Sequence, residues 1–465
     1  MNHSVFARLE SLMNERIKAL VSAFVDSGYQ LYLVGGTVRD LFLGRAQTDI
    51  DFATDALPDE IEKIGRNFGP VWLAGKEFGT IGLDLGGTKV EITTFRSDVY
   101  PRDSRKPQVS FGKSIEEDLK RRDFTINAMA ISLPSLKLVD PWGGASDLHN
   151  KRLRTPTRPE QAFDEDPLRM LRVARFVSQL GFRPDKRVVE AMAQMRRRLA
   201  IVSKERIRDE FSKLLVGDHV TQGLWLLVDT KLAEEFIPEI PALRLEQDPI
   251  HRHKDVLSHT VAVTAKVSPR LRLRLAALFH DVGKPATRSY EKGKVTFHHH
   301  EVVGARITET RLRELRYPQA LVEEVRTLVY LHLRFHTYAM GWTDRAVRRY
   351  VRDAGPLLED LNELVRCDCT TRNPRKAEEL ARRMDQLEQR IAELREKEEL
   401  AKIKPPLDGN RVMEFLGIPP GPQVGEALEY LLELRLDHGP ISEEEAYKRL
   451  AEWAQSKGLE VAGRQ

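Results

Sequence analysis

Residues 33–54, LVGGTVRDLFLGRAQTDIDFAT, set a glycine pair, an arginine and two aspartates in a fixed order. Gly35 and Gly36 close an apolar strand signal and open a helical one, so backbone N–H groups there can face a phosphate with no Cβ in the way. Arg39 follows one helical turn later and can neutralise the same polyphosphate. Asp49 and Asp51 are two apart in a strand-like run, which places both carboxylates on one face. Paired carboxylates beside a triphosphate site are what two-metal phosphoryl transfer requires, with Mg²⁺ as the expected ion. Glu91, in KVEITTF, is a candidate third carboxylate on the same small sheet. A bare GG is usually a turn and a bare DxD usually surface decoration; the ordered set is far more specific.

Two further stretches add to this chemistry. In DLKRRDFTINAMAI, the adjacent Arg121 and Arg122, with Asp123 and Asn127, precede another strand-like run and can bind triphosphate or primer backbone. In FDEDPLRMLRVARF, Asp166, Arg169, Arg172 and Arg175 recur every three residues. On one helix, neighbours in that series share a face. An Asp accepts from the exocyclic amino group of cytosine or adenine, and an Arg donates to the adjacent ring acceptor. Such a pair admits C and A and rejects U and G. The competing reading is a helix that pairs with itself through i,i+3 ion pairs.

Together these motifs resemble the DNA polymerase β-type nucleotidyltransferases, and within them the class II tRNA nucleotidyltransferase and bacterial poly(A) polymerase family. The resemblance runs through DPWGGASDL at 140–148 and covers most of residues 30–215. It implies that EDPLR matches the family's EDxxR motif, with Glu165, Asp166 and Arg169 as the base-reading unit and Arg172 and Arg175 assisting. It also implies tRNA, CTP and ATP as partners. FRSDVYPRDSRKPQVSF matches a complete flexible-loop pattern of Arg–Asp–Tyr–Asp–Arg–Pro, whereas enzymes adding only CC lack an intact loop. GKEFGTI stands where poly(A) polymerases carry a basic GRRF-like motif. Both features point to full CCA addition. The alternatives are a poly(A) polymerase or A-adding enzyme on the same scaffold and, from another class, a phosphohydrolase with an RNA-docking head.

A second constellation lies in HKDVLSHT, LAALFHDVGKP, FHHHEVVGA, LVYLHLRFH and RCDCTTRN. His280 and Asp281 are adjacent on an apolar helical segment, where unpaired polar groups are costly and metal coordination relieves them. His259, His300 and Asp368 are the further candidate ligands. His332 is a weaker one, and His298 or His299 could replace His300. Mixed imidazole and carboxylate ligation suits a divalent first-row transition metal. The pattern resembles the HD-domain phosphohydrolases. That resemblance, an HD module behind a CCA-adding head, and the GIPPGPQVGEAL segment point to a bacterial protein.

These sites need an α+β architecture: a small mixed-sheet head, then an all-helical remainder. β-branched and aromatic runs at Ile50–Ala53, Val71–Leu73, Ile81–Leu85, Val90–Thr94 and Ala128–Ile131 read as strands. From about Pro167 the period changes to 3.6 and strand signals largely disappear. Divisions near 155, 245 and 372 give a head (1–155), a helical neck (156–245), an HD domain (246–372) and a helical tail (373–465). Residues 183–208 hold nine Lys/Arg against three Asp/Glu, a candidate tRNA backbone track. A heptad-like stripe from Ala377 to Leu394 should pack on neighbouring helices. The net charge of +4 is too small to show a polyanionic partner by itself, so any nucleic-acid site must be a local patch. Two cysteines cannot frame a disulfide fold, which fits a reducing cytoplasm. No apolar run reaches membrane-spanning length, and no obligate protein partner is evident.

Overall fold

Alternation along the early strands decides what the sheet presents. The computed structural model describes residues 3–46, 49–99, 108–112, 114–245, 255–291, 294–337, 342–369, 374–398 and 403–459. The chain forms two compact units, Met1–Pro241 and Ala242–Gln465. In the first, β1 (Leu31–Val34), β2 (Asp49–Thr54), β3 (Val71–Trp72), β4 (Thr80–Asp84) and β5 (Lys89–Thr94) are followed by β6 (Arg96–Val99), β7 (Gln108–Phe111), β8 (Ala130–Leu133) and β9 (Leu138–Val139). Strands β6 and β7 pair apart from the rest; the others form one sheet in the order β3-β4-β5-β2-β1-β8-β9. Strand β2 runs parallel to β5, with Asp51 beside Glu91, and antiparallel to β1. Ile50 and Phe52 are buried on one face, which leaves Asp49 and Asp51 on the other. Phe24, Ile61, Leu83 and Ile92 extend the core that the first face joins.

The opening segment is two helices, His3–Leu12 and Glu15–Asp26. Asn14 breaks it by taking an extended conformation and accepting a hydrogen bond from the Ile17 amide. Helices dominate after Pro159, among them Pro159–Glu165, Leu168–Leu180, Lys186–Met195, Lys204–Leu215 and Val220–Asp229. Among the described residues, Arg152–Leu153 also pairs in parallel with Arg183–Pro184, and Ser289–Glu291 forms a hairpin with Lys294–Thr296.

The second unit packs the helices Val256–Lys266, Leu271–Phe279, His300–Glu314, Gln319–Leu331 and Leu358–Asp368 around a core that includes Leu275, Phe279, Leu328 and Leu361. The helix Pro374–Lys397 turns Met384, Leu387, Ile391 and Leu394 inward and packs on the helices Asp344–Ala354 and Leu358–Asp368, so the heptad-like stripe is a packing face. Leu407, Leu416, Leu431 and Leu450 form a further small core. Cys367 and Cys369 are free thiols. Among the described residues, no helix is long and apolar enough to cross a membrane.

Candidate active site and metal centre

Gly35 begins the helix Gly35–Leu43 with φ +64°, a left-handed conformation that favours glycine. A Cβ there would come within 2.7 Å of an Arg122 guanidinium nitrogen and 3.6 Å of Asp51 Oδ2. The glycine therefore opens a cradle faced by a cation and a carboxylate. The Asp51 amide donates to Thr37 Oγ1 at 2.9 Å and ties the helix start to β2. Gly35, Gly36, Arg39, Asp51, Arg122, Asp166, Arg169, Arg172 and Arg175 all line one cavity of about 420 Å³.

Asp49 and Glu91 are exposed on the face they share with Asp51, outside that lining. Burial, with Glu91 and Asp49 nearby, pushes the Asp51 carboxyl up to about 6, while Arg122 and Arg39 pull it back. Three carboxylates crowded at one sheet face suit a divalent cation, and this donor set fits Mg²⁺.

The cavity's guanidiniums are held by buried acids, of which the motif reading named Asp123 but not Asp118 or Glu210. Asp118 is fully buried and takes Arg121 on one oxygen at 2.7 Å and Arg122 on the other at 3.0 Å. Asp123 accepts from Asn127 at 2.8 Å and from Arg172 at 2.6 Å. Glu210 lies 3.3 Å from Arg172 and 2.6 Å from Arg175. Arg39, Arg172 and Arg175 lie 5.3, 5.8 and 4.1 Å from the Phe176 ring centre. Burial and the adjacent Arg172 bring Arg175 down to about 10. Asp118 had a local signal, since it stands three and four residues before its arginines; Glu210 had none.

Asp166 is not on the arginine helix. It lies in the break before Leu168–Leu180 with φ −140° and ψ 101°, because a residue preceding proline is driven out of the helical region. One of its oxygens accepts from the Leu168 amide at 3.1 Å, the other from Arg206 at 2.8 Å. Arg169 is buried and bonds Glu165 at 3.1 Å and the Arg121 carbonyl at 2.5 Å. Glu165 thus holds Arg169 and does not line the cavity. The self-paired i,i+3 helix does not form, because Arg172 and Arg175 pair with Asp123 and Glu210 from elsewhere.

Replacing Asp118 with alanine strands two guanidiniums. Asp118→Ala is expected to lower stability by about 3–5 kcal/mol in chemical denaturation and to raise KM for nucleotide. Wild-type values for both would show that the arginines need no such anchor.

In the second unit, His259 lies on the helix Val256–Lys266, and His300 opens His300–Glu314. His280 caps Leu271–Phe279, with Asp281 next, so this pair sits at a helix end rather than within it. Asp368 ends Leu358–Asp368, and His332 caps Gln319–Leu331. The ligand atoms of His259, His280 and Asp368 lie within 4.8 Å of one another, as do those of Asp281, His300 and His332. All five expected ligands are together, and His332 joins them, fully buried. His298 and His299 are exposed. Burial pushes His280 down, but Asp281 and Asp368 outweigh it and hold the imidazole up at about 10. Burial brings His332 down to about 3, and positive His280 acts in the same direction.

Residues 31–154 match the model of the "Poly A polymerase head domain", 181–243 a "Probable RNA and SrmB- binding site of polymerase A", and 256–397 the "HD domain". A Geobacillus sp. (strain WCH70) CCA-adding enzyme is 30% identical over 96% of this chain and 97% of its own length. A Deinococcus radiodurans A-adding tRNA nucleotidyltransferase is 34% identical over 91% and 95%, and a Thermus thermophilus CC-adding one 33% over 92% and 95%. Against the Bacillus subtilis CCA-adding enzyme the match is 46% identical, but the chain spans only about half of that relative, 55%. The crystal structure of a Bacillus stearothermophilus CCA-adding enzyme in complex with CTP has 27% identity and a TM-score of 0.68 over 96% of this chain and 98% of that one.

Fold and matches together define a nucleotidyltransferase with an HD module behind its head. The chain belongs to the bacterial tRNA nucleotidyltransferase family that includes the CCA-adding enzymes.

Proposed function

We propose that this chain adds CCA to the 3′ end of tRNA from CTP and ATP, without a nucleic-acid template, in the cytoplasm. The observation that supports it best is a single cavity that joins the glycine cradle and Asp51 to Asp166 and Arg169. Gly35 and Gly36 receive the triphosphate through backbone N–H groups, and Arg39 and Arg122 neutralise it. Asp166 accepts from the amino group of C or A, Arg169 donates to the ring acceptor, and Glu165 holds Arg169 in place. Arg172 and Arg175 assist at the phosphates.

Asp49 and Asp51, with Glu91 beside them, are the residues that would hold Mg²⁺. Bound there, the ions would lower the pKa of the attacking hydroxyl and stabilise the departing pyrophosphate. The tRNA 3′-oxygen forms a bond to the α-phosphorus, and the bond to the β-phosphate bridging oxygen breaks. A groove of about 790 Å³, lined by Arg152, Arg154, Arg158 and Arg187 among others, supports a tRNA backbone contact at the start of the basic stretch. Within this reading, residues 1–155 act as head, 156–245 as neck, 246–372 as HD domain and 373–465 as tail.

Relatives of similar identity carry CCA-, A- and CC-adding names, so identity alone does not choose among these products. The complete loop pattern and the absence of a GRRF-like motif favour full CCA. Of that pattern, Tyr100, Asp103, Arg105 and Pro107 lie outside the described residues. The deciding experiment offers single nucleotides and Mg²⁺ to tRNA transcripts ending before CCA, after C and after CC. The expected products are C, C and one A, then a stop. A lone A on the CC end makes the chain an A-adding enzyme, and a long A ladder a poly(A) polymerase. The ligand cluster of the second unit favours a second activity, metal-dependent hydrolysis of phosphomonoesters or cyclic phosphates.

A further inference from the structure

We infer that Phe176 is a positioning residue for nucleotide addition: its ring gathers Arg39, Arg172 and Arg175 at the cavity by cation–π attraction and leaves their N–H groups to the nucleotide. The inference rests on the nucleotidyl-transfer reading and adds to it a residue that carries no polar atom.

Arg172, Arg175 and Phe176 stand at i, i+3 and i+4 of Leu168–Leu180 and so share one face. The packing face of that helix is a different one. A Cβ at Gly223 would meet Ser178 Cβ at 2.9 Å and the Ala174 carbonyl at 3.0 Å, and Ser178 Oγ donates to the Leu214 carbonyl at 2.6 Å. Ala174 and Ser178 therefore face the helices Lys204–Leu215 and Val220–Asp229. Two residues along a helix turn the direction by about 200°, so Phe176 points nearly opposite, into the arginines. Arg39 reaches the same ring from the helix Gly35–Leu43, and Phe124 meets it edge-on, with centroids 5.4 Å apart. One ring thus joins the arginine beside the glycine cradle to the two on the base-reading side.

Three guanidiniums gathered at one ring repel one another. Burial is the first cause that brings Arg175 down to about 10, and repulsion from Arg172 and Arg39 adds to it. Carboxylates offset such repulsion but occupy N–H groups. Arg39 gives Nε and Nη2 to Asp40 at 3.0 and 2.8 Å, and Arg172 gives Nε and Nη2 to Asp123 at 2.9 and 2.6 Å. An aromatic face attracts the cation through its quadrupole and takes no hydrogen-bond donor from it. Arg175, whose guanidinium carbon lies 4.1 Å from the ring centre, is held most closely in this way. An aliphatic side chain of equal burial would fill the space and offer the charges nothing.

The test replaces Phe176 in the full-length chain with mono-, di- and trifluorinated phenylalanine, which keep the ring's shape while weakening its electron-rich face. KM and kcat are measured for CTP addition to a tRNA transcript lacking CCA, and Kd for CTP by calorimetry. KM and Kd are expected to rise about twofold per fluorine, to about tenfold with three, with kcat changing far less. Phe176→Leu should match the trifluorinated ring. Discrimination of CTP over UTP should hold, because Asp166 and Arg169 are untouched. The same series at Phe124, which does not line the cavity, should leave every constant at its wild-type value. A flat series at Phe176, or an equal response at both rings, overturns the inference while nucleotide addition stands. A wild-type chain that adds no nucleotide overturns the addition reading and the inference with it.

Discussion

Asp51→Asn is expected to lower kcat for nucleotide addition by about a thousandfold or more, equivalent to roughly 4 kcal/mol of transition-state stabilisation. The substitution keeps the shape of the side chain and removes its charge where Asp51 faces the glycine cradle. Asp51 is also the most enclosed of the three carboxylates on its face, whereas Asp49 and Glu91 are exposed. Because the substitution leaves the proposed base contacts at Asp166 and Arg169 untouched, KM for CTP should change far less than kcat. The fold should persist, since the Asp51 amide still donates to Thr37. Single-turnover kinetics with circular dichroism as control would measure this. A wild-type rate would show that transfer does not pass through this carboxylate, and the phosphohydrolase reading would then gain ground.

Asp166→Ala is expected to reduce discrimination of CTP over UTP by about 10- to 100-fold, since a lost polar partner costs about 1–3 kcal/mol. The loss should appear in the ratio of kcat/KM values on a tRNA transcript lacking CCA. Asp166 also accepts from Arg206, whose side chain is 42% exposed, so water can satisfy the released guanidinium. The change therefore reads as specificity rather than unfolding. Unaltered discrimination would move base reading away from this residue. Arg169 is a poorer probe, because its removal also frees Glu165 and the Arg121 carbonyl.

Short-range order made much of this molecule legible. Strands β1, β2, β4 and β5 are apolar runs bounded by Gly and Asp; β5 and the start of β2 alternate in burial, and the carboxylate face follows from that alternation. The glycine cradle was readable because only the smallest residue tolerates Arg122 so close. Asp166 was misplaced because spacing of three suggests a continuous helix, and the conformational effect of Pro167 outweighs it. Glu210 was invisible because its arginines stand 38 and 35 positions earlier, and no local pattern records such a pairing. The proximity of His332 to His280 and His300 was not legible, because a lone histidine at the end of an apolar helix resembles an ordinary core residue. Its meaning appears only when four helix ends converge.

The buried acids under the cavity also bear on how often the enzyme can work. Arg121, Arg122, Arg172 and Arg175 are set against Asp118, Asp123 and Glu210, so four positive charges carry three negative ones beneath them. A guanidinium carries five N–H groups, more than one carboxylate engages, while the long-range field of the cluster is largely cancelled. Without that cancellation, the cleft would hold spent pyrophosphate more firmly. An anchoring acid thus serves turnover as well as architecture, by letting the leaving group escape before the next nucleotide arrives.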